Sequence, residues 1–173
     1  VLAVAAALSV IVGNLAAIAQ SSVRRLLAYS AVAHAGYALV GVLANQKSEG
    51  LVSVLYYVTT YAVTTVGVFA IVGVVQERAG NDKLSAFAGL SKREPVLAFC
   101  LMIFLLSLAG IPPLAGFFGK FLLLKAVIEQ GAAYPAYYCL AGVAIIGVVI
   151  SLYYYFGVLR AIYWSESTTD TAQ

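Results

Sequence analysis

The sequence predicts an all-α fold, a polytopic bundle of about five transmembrane helices of which one is broken, and three observations point there. Of its 173 residues, 63% are hydrophobic and 10% charged, with mean hydropathy +0.98, far outside the range of soluble domains. Uncharged stretches long enough to cross a hydrocarbon core of about 30 Å alternate with short polar clusters. The longest stretch also carries two adjacent prolines and a lysine, Pro112, Pro113 and Lys120. A net charge of +3 and the lack of a basic run with interleaved aromatics exclude nucleic acid as a partner and leave the lipid bilayer. Cys100 and Cys139 stand singly in apolar segments, which suits packed or lipid-facing thiols better than a disulfide or metal site. Val1 sits in an uncharged run with no basic leader, so the chain reads as a single transmembrane domain, a fragment of a larger subunit.

The first span is residues 1–19, followed by Gln20-Ser21-Ser22 and then Arg24 and Arg25. Asn14, with Ser9 and Gly13 close by, fits either a polar contact with another helix or a small-residue packing seam. The second span, 26–44, sets Ser30, His34, Tyr37 and Gly41 on one face. His34 is there either a structural hydrogen-bonder or a proton carrier, imidazole being the side chain whose charge changes near neutral pH. The third span, 51–75, repeats Tyr57, Thr60, Tyr61, Thr64 and Thr65 on one face. Such a stripe wants a partner or water, unless the threonine hydroxyls bond their own i−4 carbonyls. Residues 76–94 are the most polar connection, with 83–90 suited to a short interfacial helix and Pro95 to the first turn of the next helix.

The fourth segment, 95–128, would run about 51 Å as one straight helix, well beyond the bilayer core. Pro112 and Pro113 lack the N–H groups that would bond the carbonyls of Leu108 and Ala109, and they push Ile111 out of α geometry. Two half-helices around an irregular centre follow, with Gly110, Gly116 and Gly119 letting the chain turn and its neighbours approach. Lipid cannot satisfy the freed groups, so this backbone is buried in protein or lines a wet cavity. Lys120 lies about 13 Å of helix inside Glu129. An ionisable side chain there costs about 2.5–3.5 kcal/mol on insertion and marks an ion or proton pathway; the competing reading is a lysine that snorkels to the headgroups, as Lys125 does nearer the end. The fifth span, 134–163, places Tyr153, Gly157 and Arg160 on one face and ends in Tyr153-Tyr154-Tyr155, Tyr163 and Trp164, most of which read as an interfacial aromatic belt. With five spans, Arg24, Arg25, Arg78, Lys83, Lys92, Arg93 and Arg160 fall on one side of the membrane, against Lys47 and Lys125 on the other. The richer side is then cytoplasmic, and Val1 lies outside.

Three runs together resemble one family: Leu26-Leu27-Ala28-Tyr29-Ser30-Ala31-Val32-Ala33-His34-Ala35-Gly36-Tyr37, the run from Ser107-Leu108-Ala109-Gly110-Ile111-Pro112-Pro113 to Gly119-Lys120-Phe121, and Leu152-Tyr153-Tyr154-Tyr155. They are similar to the antiporter-like subunit N of proton-pumping NADH:quinone oxidoreductase, respiratory complex I, over essentially the whole chain. The resemblance implies the ninth to thirteenth helices of a fourteen-helix subunit, with Lys120 where the family carries the lysine of its broken twelfth helix. The sister subunit M usually has a glutamate there, and subunit L differs around the same position. The first half, with its own broken helix, and the last helix are missing. The resemblance further implies a bacterial inner membrane location and the other membrane subunits of complex I as partners. NADH, FMN, iron–sulfur clusters and quinone would be handled by other subunits, since the chain has neither a Rossmann glycine pattern nor a cysteine cluster.

The function expected is proton translocation through a hydrated relay. Lys120 and His34 carry it, supported by Ser30, Tyr37, Thr60, Thr64, Gly110, Pro112, Pro113, Gly116 and Gly119. A cation/proton antiporter of the same superfamily, or a passive membrane scaffold, are the alternatives; a carboxylate-rich site would favour the antiporter, and no Asp or Glu lies within the spans.

Overall fold

A computed structural model describes residues 1–44 and 48–165 and is the helix bundle expected. In chain order it forms α1 (Leu2–Ile18), α2 (Val23–Leu43), α3 (Ser48–Ala79), a 3₁₀ turn (Leu84–Phe87), α4 (Leu90–Arg93), α5 (Pro95–Ala109), α6 (Ala115–Gly131) and α7 (Ala136–Trp164). Three helices are long and apolar enough to cross a membrane, Val23–Leu43, Leu51–Ala79 and Ala136–Trp164, while α1 and α5 are shorter apolar helices.

Local chemistry explains where the helices begin and end. Ser22 caps α2 by accepting the Arg25 N–H at 3.1 Å, so that helix starts ahead of its first long apolar run. Helix α3 continues through Gln76, Glu77 and Arg78, the arginine lying in its last turn, where a cation complements the helix dipole. In place of one interfacial helix over 83–90, the chain makes the 3₁₀ turn and then α4, separated by Gly89 in the left-handed region at φ 65°. The expected break in the fourth segment is the gap between α5 and α6.

Helix contacts in lipid gain no hydrophobic free energy, because the tails are as apolar as leucine, so close packing and hydrogen bonds order the bundle. Helix α1 lies along α2 at backbone distance: a methyl on Gly13 would stand 2.5 Å from the Ala33 nitrogen, and one on Gly36 2.9 Å from the Ala6 carbonyl oxygen. Helix α6 is enclosed by α2, α3, α5 and α7, which puts Lys120 inside the bundle. At one end, the α1–α2 turn, the α3–α5 connection and the end of α7 are joined. The Val23 N–H donates to the Asp82 carbonyl at 2.8 Å, that of Leu84 to Ser21 at 2.9 Å and that of Gly89 to Ala161 at 3.2 Å. The Ser22 hydroxyl adds a bond to Asp82 Oδ2 at 2.5 Å, and Arg78 pairs with Glu94. Beneath this end lies the largest apolar core, including Phe87, Leu101, Leu105, Val68, Val72 and Ile162.

Replacing Gly36 by leucine should drive α1 off α2 at a cost of roughly 1–3 kcal/mol or more. The expected result in the full-length subunit is a large drop in assembled complex on native gels.

Candidate functional site

The site is built around the missing hydrogen bonds of the helix break. Helix α5 closes with the Ile111 N–H bonded back to the Leu106 carbonyl at 3.0 Å and the Gly110 N–H to that of Ser107 at 3.0 Å, a Schellman ending that requires the positive φ of Gly110, +85°. Those bonds satisfy the carbonyls of Leu106 and Ser107 and leave Leu108 and Ala109, whose partners would have been the N–H groups of Pro112 and Pro113. The chain crosses Pro112-Pro113 through a cis peptide and resumes helix at Ala115. There α6 passes so close to the end of α5 that a methyl on Gly116 would stand 1.9 Å from the Ser107 carbonyl oxygen. The Gly116 N–H donates to the Ser107 hydroxyl at 3.2 Å.

Lys120, at 5% exposure, fills the vacancy. Its amine donates to the Leu108 carbonyl at 2.7 Å and to that of Ala109 at 3.1 Å, the two acceptors freed by the prolines. It also lies 5.5 Å from the centre of the Tyr37 ring, within cation–π range. The C-terminal end of α5, negative by its dipole, therefore faces the lysine amine. The Lys120 side chain turns inward, not to the headgroups. Lys125 reaches outward as expected, exposed and 3.7 Å from Glu129.

His34, at 4% exposure, is within electrostatic reach of Lys120 and holds a hydroxyl at each ring nitrogen. Nδ1 lies 2.6 Å from the Tyr57 hydroxyl and Nε2 3.3 Å from that of Tyr155. The Tyr155 hydroxyl in turn meets the Ser30 hydroxyl at 2.5 Å. Tyr61 stacks on the imidazole with centroids 4.4 Å apart, and Tyr37 meets it edge-on at 5.9 Å. Beside this chain, the Asn14 amide donates to the Val10 carbonyl at 2.8 Å and to the Tyr37 hydroxyl at 3.4 Å, and its oxygen accepts from Tyr154 at 3.0 Å.

The residues singled out by sequence thus fall into two groups. Lys120, His34, Ser30, Tyr37, Gly110, Pro112, Pro113, Gly116 and Gly119 meet in one region, with Gly119 against Tyr57, where a methyl would stand 3.0 Å from the ring. Thr64 spends its hydroxyl on the Thr60 carbonyl at 2.7 Å, the self-bonded arrangement open to a helical threonine, and no hydrogen bond described here joins Thr60 or Thr64 to His34. Four partners lie outside the expected set, Tyr57 and Tyr61, which stood only in the α3 stripe, and Tyr154 and Tyr155. Tyr154 and Tyr155 read as belt residues, yet both are buried. Three consecutive helical tyrosines point about 100° apart and cannot all face lipid, a signal that was there to use. The belt reading fits the exposed Tyr153 and Trp164.

Residues 1–151 match the family described as NADH:quinone oxidoreductase/Mrp antiporter, TM. Over 163 residues the chain is 50% identical to NADH-quinone oxidoreductase subunit N 2 of Acidobacterium capsulatum, covering 94% of this chain and 32% of that protein. Among solved structures it resembles a chain of respiratory complex I from Thermus thermophilus with bound NADH, at TM-score 0.82 and 33% identity over 94% of this chain and 33% of that one. It also resembles a chain of the Mrp complex from Dietzia sp. DQ12-45-1b, at TM-score 0.87 and 28% identity over 96% of this chain and 30% of that one. The chain therefore spans about a third of the length of the relatives it matches.

Removing the hydroxyl that bridges His34 and Ser30, by Tyr155→Phe, leaves two buried polar groups short of a partner. A loss of about 1–3 kcal/mol is expected, measured as a lowered Tm of the subunit in detergent.

Proposed function

This chain belongs to the NADH:quinone oxidoreductase/Mrp antiporter transmembrane family, and on that premise we propose that it is part of a proton-translocating membrane subunit of a bacterial NADH:quinone oxidoreductase. Protons pass through a hydrated relay that includes Lys120 and His34, driven by quinone reduction elsewhere in the complex. NADH, FMN, iron–sulfur and quinone chemistry belongs to other subunits, and the other membrane subunits are the partners of this one.

The seat of Lys120 carries this reading. A protonated amine has three donors and a neutral one has two. The carbonyls of Leu108 and Ala109 are two, so both stay satisfied whichever form the amine takes, and the proton that comes and goes is the third. Loading and unloading then leaves no buried acceptor orphaned, a cost of about 1–3 kcal/mol each that a less matched site would incur. Arginine cannot serve, because a guanidinium keeps its charge in proteins. His34 has a comparable freedom. Both its partners are hydroxyls, each able to donate or accept, so either tautomer and the doubly protonated ring all find partners without a heavy atom moving.

The likeness to the Mrp complex favours a second reading, a subunit of a cation/proton antiporter. Against it stands the placement of the acidic residues among those described: Glu77 and Glu129 lie in the last turns of α3 and α6, Asp82 and Glu94 in the connection after α3, and Asp82, Glu94 and Glu129 contact Ser22, Arg78 and Lys125, not the Lys120–His34 cluster, whereas a cation shedding its water takes several oxygen ligands. For orientation, the joined end carrying Arg24, Arg78, Lys83, Lys92 and Arg93 is assigned to the cytoplasm by its basic charge.

Three measurements test these assignments. In the full complex, Lys120→Ala and Lys120→Arg should both depress proton translocation, and wild-type pumping by Lys120→Arg would show that the lysine only fills space. His34→Ala should slow pumping modestly, water replacing part of the ring; unchanged pumping with reduced assembly would make the histidine structural. A cysteine at Asn81, in a chain cleared of other reactive thiols, should resist an impermeant thiol reagent added to intact cells, and ready labelling would reverse the orientation.

A further inference from the structure

Thr65 is the one described residue with a buried side-chain oxygen that finds no hydrogen-bond partner. Its neighbour Thr64 bonds back to its own helix, the usual outlet for a threonine in this setting. Thr65 does not, and although the Tyr61 hydroxyl is near enough to interact with it, no bond of normal geometry closes. A small cavity of about 10 Å³ adjoins it, lined by Leu27, Ser30, Tyr61, Thr65, Val68, Phe69 and Leu108. That space is about what one water molecule needs, and a buried water needs two to four polar partners. Three of the lining residues carry hydroxyls, Ser30, Tyr61 and Thr65, and the other four are apolar. Ser30 spends one contact on Tyr155, and a hydroxyl with one donor and two lone pairs has capacity left.

We propose that this cavity between α2, α3 and α5 holds a single bound water bridging Ser30 and Thr65, which adds one member to the Tyr57–His34–Tyr155–Ser30 chain. The unpaired Thr65 oxygen and a cavity of one-water size whose lining includes three hydroxyl-bearing residues are independent observations of the same vacancy. The added member lies on the side of His34 toward the joined basic end, because Ser30 precedes His34 on α2 and Thr65 follows Tyr57 on α3, and both helices have that end at Val23 and Ala79 respectively. Thr65 is a positioning residue for the water. Its part in proton transfer rests on the relay reading given above; the water site itself does not.

The test uses the assembled complex carrying Thr65→Val, which keeps the shape and removes the hydroxyl, with Thr65→Ser as the variant that retains it. A cryo-EM map that resolves waters should show density within hydrogen-bond distance of both hydroxyls in the wild type and in Thr65→Ser, and none in Thr65→Val. The valine variant should also lose Tm, because a water or a serine is left short of a partner. A dry cavity predicts the opposite: valine replaces an unpaired hydroxyl, Tm rises, and no density is seen in any form; either result overturns the site. Pumping in Thr65→Val should fall roughly threefold, the size of one lost neutral hydrogen bond, with Thr65→Ser near wild type. Water density in the wild type that is lost in Thr65→Val, with normal pumping in Thr65→Val but slowed pumping in His34→Ala, overturns the relay role of this water alone. Normal pumping in both overturns the His34 relay itself.

Discussion

Two carbonyl oxygens without N–H partners and one amine withdrawn from water set the terms for the rest of this bundle. A proline pair alone would leave the Leu108 and Ala109 carbonyls stranded in a region where lipid offers nothing. A lysine alone would carry the full cost of burial. Placed one and a half turns into the next helix, Lys120 turns back on the end of α5 and each defect becomes the remedy for the other. The pairing requires α6 to start hard against α5, which is why Gly116 faces the Ser107 carbonyl, and it requires α2, α3 and α7 to close round the junction and keep lipid out. The tyrosines, serine and histidine that line this junction are therefore there because the wall around a buried amine must itself be polar.

Those polar residues are not all of one kind. Asn14 is directional: its amide nitrogen donates to the Val10 carbonyl and its oxygen accepts from Tyr154, and a flip of the amide would set its oxygen against the Val10 carbonyl, acceptor against acceptor. It fixes how α1, α2 and α7 meet. The row Tyr57, His34, Tyr155, Ser30 contains no such arrow, because every member can give or receive. Contacts that lock a geometry and contacts free to reverse are thus distinguished by the hydrogen-bonding symmetry of the groups, even within one polar cluster.

Much of this was legible in the sequence because it depends on local rules. Apolar run length pointed to the long helices, and the arithmetic of missing N–H groups named Leu108 and Ala109 as the orphaned acceptors. What those acceptors bond, and whether Lys120 reaches inward or outward, depended on how α6 folds back, which spacing does not encode. The stripe on α3 was visible, but which hydroxyls it offers to α2 was not. Thr64 and Thr65 are adjacent, and whether a threonine bonds its own helix or a neighbour is decided by the space around it. The inward turn of Tyr154 and Tyr155 was hidden for the same reason: an aromatic near a helix end is compatible with an interface or a core, and only packing against α1 and α2 distinguishes them.

The joined end of the bundle has a consequence for electrical behaviour. Three of its ties, Val23 to Asp82, Leu84 to Ser21 and Gly89 to Ala161, are made by peptide groups, which do not titrate, alongside the side-chain contacts Ser22–Asp82 and Arg78–Glu94. Below them sits a layer of aliphatic and aromatic side chains around Val68, Val72 and Leu101. The peptide ties and the apolar layer around those three residues close this end without a proton-exchanging group of their own. For the relay proposed above, such a cap would serve as the dielectric of a capacitor: charge held beneath it would leak through that end only when the backbone clasp is undone.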